Sequence, residues 1–415
     1  MKHQMLLWSS FICCLFLFTQ CDEAIDVNIT DDSPLLALSD QYKVIDAENA
    51  FGFNALKKIN ETEADENIFI SPLSISLAFG MAYNGADGTT QEAMQEALEL
   101  NGMSLEQVNN GYKGLMNRLS QLDEAVQFDI ANSIWYDEGF AAMIHDTFLD
   151  NCSEYYSSET NALNFHEPTS KDIINAWVND NTNGKIPTIL DSISPDEVMF
   201  LINAIYFKGD WKYTFDEENT TLSTFYGEDG TTSQYERMMM ETSLPYFQND
   251  LFQAVDLAYG EEDMYSMSVF LPKDNVSVHD IVNALDGDAW AAWTDGFSMN
   301  EVTFMMPKFK LEYEKTLNQT LTDLGMGIAF TGGADFSNIA DANLYITKVK
   351  HKTFIEIDEL GTEAAAVTSI GIGITSVNPN TPPTVNLNKP YFFVIREKQS
   401  NAILFMGKMM QPPME

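Results

Sequence analysis

The chain has 415 residues, 45% of them hydrophobic and 12% aromatic, which is enough apolar material for a sizeable core and excludes disorder for its bulk. Twenty-two Lys and Arg stand against 62 Asp and Glu, a formal net charge of −40 that repels nucleic-acid phosphates and anionic lipid surfaces and excludes nucleic acid as a partner. A charge of that sign and size reads as a solvated acidic surface that keeps the protein soluble.

In chain order, Lys2 and His3 precede an apolar run from Met5 to Phe18 that is too short to span a bilayer stably and has the character of an export signal. Phe18-Thr19-Gln20-Cys21 looks like a bacterial lipobox, in which the cysteine is lipidated and becomes the first residue. Gln20 departs from the small residue that pattern prefers, and ordinary signal cleavage is the alternative. The expected organisation is a signal peptide at 1–20, an acidic tether at 21–40 and a single domain at 41–415, on an outer-membrane or cell-surface lipoprotein, with a secreted or periplasmic protein as the alternative. With Cys13 and Cys14 removed and Cys21 modified, Cys152 is left alone, so no intramolecular disulfide is expected.

Val44, Ile45, Phe51, Leu56 and Ile59 fall on one side of a helix over 41–59. A strand-like Asn67-Ile68-Phe69-Ile70 runs into Ser71-Pro72, a cap with proline at the first helical position. Thr89 or Thr90 is expected to cap the next helix, and Ser104 to Gln107 has capping-box spacing ahead of a third. Alternation over Val126 to Tyr136 predicts a strand with one buried face, Ser170 opens another helix, and Val198 to Phe207 is apolar enough to predict a strand covered on both faces, with Asn203 as a buried amide needing partners. Further strands are expected over 264–271, 301–312 and 344–358, with short helices over 277–285 and 316–324. Tyr391 to Arg396 and Ala402 to Met409 read as a closing hairpin. No internal repeat and no second composition regime divide the chain.

No catalytic or metal constellation stands out. There is no nucleophile elbow, no phosphate-binding loop and no His-Glu-x-x-His, the five histidines are scattered, and no cofactor or metal is implied. The stretch from Asp358 to Ser376 is unusual instead. Read with period 2, Thr362, Ala364, Ala366, Thr368, Ile370, Ile372 and Ile374 line one uncharged face, so the segment is strand-competent, yet it runs straight into a proline-rich loop with Pro379, Pro382 and Pro383.

Several stretches together resemble the serpin family: Asn67 to Ile75, Gly184-Lys185-Ile186 leading to Leu201 to Trp211, Ala334-Asp335-Phe336-Ser337, the strand around Lys350-His351-Lys352, Gly361 to Ala366, and Asn388-Lys389-Pro390-Tyr391-Phe392. The resemblance implies an α+β fold of three β-sheets and about nine helices, monomeric, with an exposed reactive-centre loop at about 359–388. It implies a hinge at Glu359, Gly361, Thr362, Glu363, Ala364, Ala365 and Ala366, and a polar cluster that governs opening of the central sheet at Ser71, Ser74, Asn203 and His351, with Trp211 where the loop first enters. The implied activity is suicide inhibition: a protease cleaves the loop, forms a covalent acyl-enzyme, and is trapped as the loop inserts as a new central strand.

Counting fifteen residues from Gly361, as the family usually does, puts the scissile bond at Thr375-Ser376, with Val377-Asn378 as second choice. At strand rise those fifteen residues span roughly 50 Å. No Lys or Arg lies between Glu359 and Asn388, which disfavours trypsin-like targets and points to elastase-like or subtilisin-like serine proteases, with papain-like cysteine proteases as a further class. The alternative implied function is a non-inhibitory serpin that acts as a binding or storage protein.

Overall fold

The computed structural model describes residues 34–362 and 382–413. Numbered in chain order, the described helices are α1 (Pro34–Thr62), α2 (Pro72–Gly85), α3 (Gly88–Ala97), α4 (Leu105–Leu119), α5 (Asp146–Tyr156), α6 (Thr169–Asn181), α7 (Val278–Ala284), α8 (Gly287–Asp295) and α9 (Asn318–Asp323). Their starts follow local chemistry. Ser71 accepts from the Ser74 N–H with Pro72 at the first turn of α2, and Ser104 with Gln107, and Ser277 with Asp280, form capping boxes on α4 and α7. The cap of α3 is Asp87, not the threonines that follow it. α1 already runs from Pro34, so part of the stretch read as tether is helical, and Asp40 and Gln41 are buried.

Six strands form one sheet in the order β10 (Phe309–Thr316), β11 (Lys350–Ile357), β12 (Gly361–Thr362), β4 (Met199–Asp210), β2 (Val126–Asp137) and β3 (Glu159–Leu163). A second network runs β1 (Ile68–Ile70), β15 (Ile403–Met409), β14 (Tyr391–Glu397), β8 (Tyr265–Pro272), β7 (Phe252–Tyr259), β6 (Thr232–Gln248), β9 (Ser298–Pro307) and β13 (Thr384–Asn386), with β5 (Thr221–Tyr226) on β6. The long strand β6 belongs to two sheets: its first part pairs with β5 and β9, and its end, Tyr246 to Gln248, pairs with β7. Two of the three expected sheets are thus joined through β6 into one nine-stranded network.

The predicted strand over 301–312 is two strands broken at Lys308, after Pro307, and the strand predicted from 344 begins only at Lys350. β4 is also less enclosed than its apolar sequence suggests, because Met199, Phe200, Leu201 and Asn203 are only half-buried. The physical reason is that, among the described residues, β4 has no neighbour along most of one edge.

The six-stranded sheet separates two apolar clusters. Ile134 and Ile205 point into the main core, against α2 and the nine-stranded network, while Trp135 and Ile202 point the other way and join Phe165, Ile174, Val178, Ile186 and Leu190 beneath α6. This is the period-2 alternation of a strand used on both faces.

Candidate functional site

On one side β4 pairs with β2 from Met199 to Gly209, and on the other only Gly209 and Asp210 pair, with Thr362 and Gly361 of β12. β11 pairs with β10 along its whole length, and on its other side only Ile357 pairs, with Thr362. Below the two residues of β12, the facing edges of β4 and β11 therefore carry no ladder among the described residues. Such an edge is a template for another strand.

Between these edges lies a cavity of about 400 Å³. Its floor is α2, with Ser71, Ser74 and Ile75, its walls are β4 and β11, and its roof is the connector from α6 to β4, with Ile186, Ile189 and Leu190. β11 alternates across it: His351, Thr353 and Ile355 are buried toward α2, and Lys350, Lys352, Phe354 and Glu356 face the connector half-buried.

The polar residues predicted to govern the sheet are divided by this cavity. Ser71 N–H donates to His351 Nε2 at 3.1 Å, and Ser71 Oγ accepts from the Ser74 N–H at 3.1 Å while its hydroxyl donates to the Leu404 carbonyl at 2.7 Å. His351 is thus held as an acceptor on Nε2, and burial pulls its pKa down to about 4. Asn203 stands on the opposite wall, where its amide donates to Asn132 Oδ1 at 2.9 Å and its own Oδ1 has no partner. The structure lines one cavity with Ser71, Ser74, Asn203 and His351 but bonds only the first, second and fourth to one another.

Trp211 belongs to the top of the slot. Its indole N–H donates to the Asp358 carbonyl at 3.0 Å, its backbone N–H to the Leu360 carbonyl at 2.7 Å, and its ring stacks on Tyr259 at 4.4 Å between centroids. Asp358 closes a tight turn by donating to the Gly361 carbonyl and accepting from the Leu360 and Gly361 N–H groups. Gly361 has to be glycine, since a Cβ there would lie 2.2 Å from the Gly209 carbonyl oxygen. Thr362, 3% exposed, meets the Tyr259 hydroxyl at 2.5 Å. Glu359, 4% exposed, accepts from Lys308 Nζ at 2.8 Å and from Thr220 Oγ1 at 2.7 Å. Burial opposes its ionisation, and the bonds from Lys308 and Thr220 outweigh that and hold its pKa below the usual carboxylate value.

Tyr259, Asn132, Lys308 and Thr220 were not among the residues singled out in the sequence, because each acts through a partner remote in the chain. The other expected site residues, Glu363, Ala364, Ala365, Ala366, Thr375, Ser376, Val377, Asn378 and Cys21, lie outside the described residues. Among the described residues no cluster of side chains suits a metal ion, and no helix is long and apolar enough to cross a membrane.

Comparison with known proteins matches this geometry. A family model described as "Serpin (serine protease inhibitor)" covers residues 46–412. Serpin B10 of Homo sapiens is 33% identical over 395 residues, covering 88% of this chain and 98% of its own. Among solved structures, that of a thermophilic serpin, Tengpin, in the native state superposes with a TM-score of 0.79 at 34% identity, covering 88% of this chain and 94% of that one. Human thyroxine-binding globulin complexed with its hormone superposes with a TM-score of 0.81 at 25% identity, covering 90% and 100%.

Proposed function

The chain belongs to the serpin family, and from that premise we propose that it is a suicide-substrate inhibitor of serine proteases. The observation that carries this reading is the slot: Gly361 and Thr362 already pair between β4 and β11, and among the described residues the edges below them carry no further strand. A protease that cleaves at Thr375-Ser376, with Val377-Asn378 as second choice, releases residues from Glu363 onward to continue β12 down the slot. Thr362, Ala364, Ala366, Thr368, Ile370, Ile372 and Ile374 then share one face, and burying the three isoleucines contributes on the order of 5–9 kcal/mol before ladder hydrogen bonds. Insertion draws the acyl-enzyme away from the loop's starting position before water can complete hydrolysis.

The absence of Lys and Arg between Glu359 and Asn388 supports elastase-like or subtilisin-like targets, with papain-like cysteine proteases as a further class. Export and lipidation at Cys21 would place the inhibitor on a membrane surface, and mass analysis of the mature N-terminus tests that step. Similarity to thyroxine-binding globulin favours a second reading, a serpin that binds a small molecule and is cut without trapping anything.

Incubation with an elastase-like and a subtilisin-like protease, followed by a denaturing gel, separates the two. A protease-resistant covalent complex supports trapping. Complete cleavage of the chain with full recovery of protease activity sinks it, and the mass of the released C-terminal fragment locates the bond.

A further inference from the structure

Two neighbours on α1, Glu48 and Asn49, meet opposite surroundings. Asn49 is bonded on both sides of its amide, Nδ2 donating to the Asn401 carbonyl at 3.0 Å and Oδ1 accepting from the Ile403 N–H at 3.0 Å, which ties the helix to the turn that leads into β15. Glu48 is 1% exposed, and neither of its carboxyl oxygens has a hydrogen-bond partner among the described residues. Two turns earlier on the same face, buried Gln41 also leaves its Nε2 without one. Cations that could answer the carboxyl are committed elsewhere. Lys43 pairs with Asp40, Lys58 with Glu61, Lys113 of α4 with Glu154 and Arg118 of α4 with Glu397, while Lys408 of β15 bonds Asn60 and the Glu63 carbonyl at the far end of α1. Lys57 stands nine residues on, on the opposite side of the helix. Besides its two cations α4 carries Tyr112 and Glu106, and α2 carries Tyr83 and no charge. The other helices packed on α1 bring His279, which bonds Asn60, and the acids Asp280, Asp288, Asp295 and Asp323. Burial therefore pushes the Glu48 pKa well above its ordinary 4.5, and nothing opposes it.

We propose that Glu48 is folded as the neutral acid and that its proton is the pin of a pH-operated release, in which alkalinisation frees the start of α1, residues 34–48, from α4 while Asn49 holds the rest of the domain. A carboxylate formed in place would sit unpaired in an apolar enclosure, whereas undocking gives both it and Gln41 access to water. The hold to be broken is short. Val44 fits against Gly111 of α4, where an added Cβ would come within 2.4 Å of its Cγ2, and Asp40 accepts from Gln107 Nε2 at 3.1 Å and from Lys43 Nζ at 3.0 Å. Opening past Asn49 would break its two bonds and uncover Phe51 and Phe53, so the release stops there. The sign follows from linkage. A group whose folded pKa lies above its unfolded value contributes fully below that unfolded value, here 4.5, and loses the contribution as pH rises through the folded one. In that window the folded chain keeps a proton that the unfolded chain has given up, so its folding constant falls about tenfold per pH unit relative to a chain without the carboxyl. The device is independent of whether the chain traps proteases.

The test compares the full chain with Glu48→Gln, which keeps the shape and cannot titrate. Should that variant not fold, Glu48→Met, which needs no partner, takes its place. Infrared difference spectra at pH 7 are expected to show a protonated-carboxyl stretch in the parent that the variant lacks. Urea melts from pH 5 to 8 should show the ratio of folding constants, variant over parent, rising about tenfold per pH unit. Hydrogen exchange read by mass spectrometry, each pH referred to the variant so that the intrinsic dependence cancels, should quicken in residues 34–48 at alkaline pH and stay level in residues 50–62. A parent without the protonated-carboxyl stretch, or a ratio of folding constants that does not move with pH, overturns the buried neutral acid and the release with it. A parent that shows both but exchanges residues 34–48 no faster than the variant at any pH overturns the release.

Discussion

On the proposed trapping mechanism, Thr362 is where the first step of insertion is decided. Its position is 3% exposed and its hydroxyl has a partner in Tyr259, so the site accepts a small polar side chain and has no answer for a charge. Thr362→Arg is expected to convert the inhibitor into a substrate: cleavage continues, the covalent complex on a denaturing gel falls at least tenfold, and undiminished complex would contradict the insertion mechanism. His351 makes a second residue-scale prediction. Its folded pKa of about 4 lies below the unfolded value of 6.5, so between those values the unfolded chain binds more protons and stability falls as pH is lowered. The loss is complete below about pH 4 and amounts to on the order of 3 kcal/mol. Urea melts of the parent and of His351→Gln between pH 4 and 7 isolate the contribution as the difference in slope. Lys308→Met should cost about 2 kcal/mol in a denaturant melt, because it leaves the Glu359 carboxylate enclosed with only Thr220 as a side-chain donor.

Among the elements, β12 is the shortest and the most consequential, and it depends on one glycine. A methyl group on residue 361 would press on the backbone of Gly209 and Asp210, neither of which has a side chain that can swing away from that contact. Gly361→Ala should therefore lift β12 out of the slot, and the departure should be visible as a red shift of Trp211 emission, since that indole loses its bond to the Asp358 carbonyl. An unchanged emission maximum would mean that the hinge tolerates the methyl in place. The caps at Ser71 and Ser104, the strand at Val126 to Tyr136 and the closing hairpin were legible because they rest on local chemistry and on one-sided alternation. β10 and β11 were blurred because their outward faces carry Lys and Glu at alternate positions, Lys310, Glu312 and Glu314 against Lys350, Lys352 and Glu356, a pattern that reads as solvent exposure until the connector from α6 to β4 is seen bonded to Lys352. α5 and α8 escaped notice because short helices with mixed composition offer little periodicity.

For the molecule as a whole, a net charge of −40 sets acidic groups against one another over a compact surface. Screening should relieve this, so the thermal midpoint is expected to rise by several degrees between 0.01 and 0.5 M NaCl, and a midpoint that falls over that range would show that attractive pairs outweigh the repulsion. The family was legible in the sequence, but the slot was not, because an edge left unpaired among the described residues is a relation between β4 and β11 that neither strand's residues encode alone. The order of strands in the larger network has one more consequence. β1, near the start of the domain, pairs with β15 at its end, and β14 and β15 sit between β1 and β8. A ribosome delivers residues 363–381 before it delivers this hairpin, so β4, β11 and the segment that follows them are all synthesised while the nine-stranded network still lacks β13, β14 and β15. On the proposed trapping function, folding of this chain is a race, in which residues 382–413 have to find their places before the segment ahead of them enters the slot. The inhibitory capacity proposed for this chain would then be inherited from the order of translation as much as from the sequence that is translated.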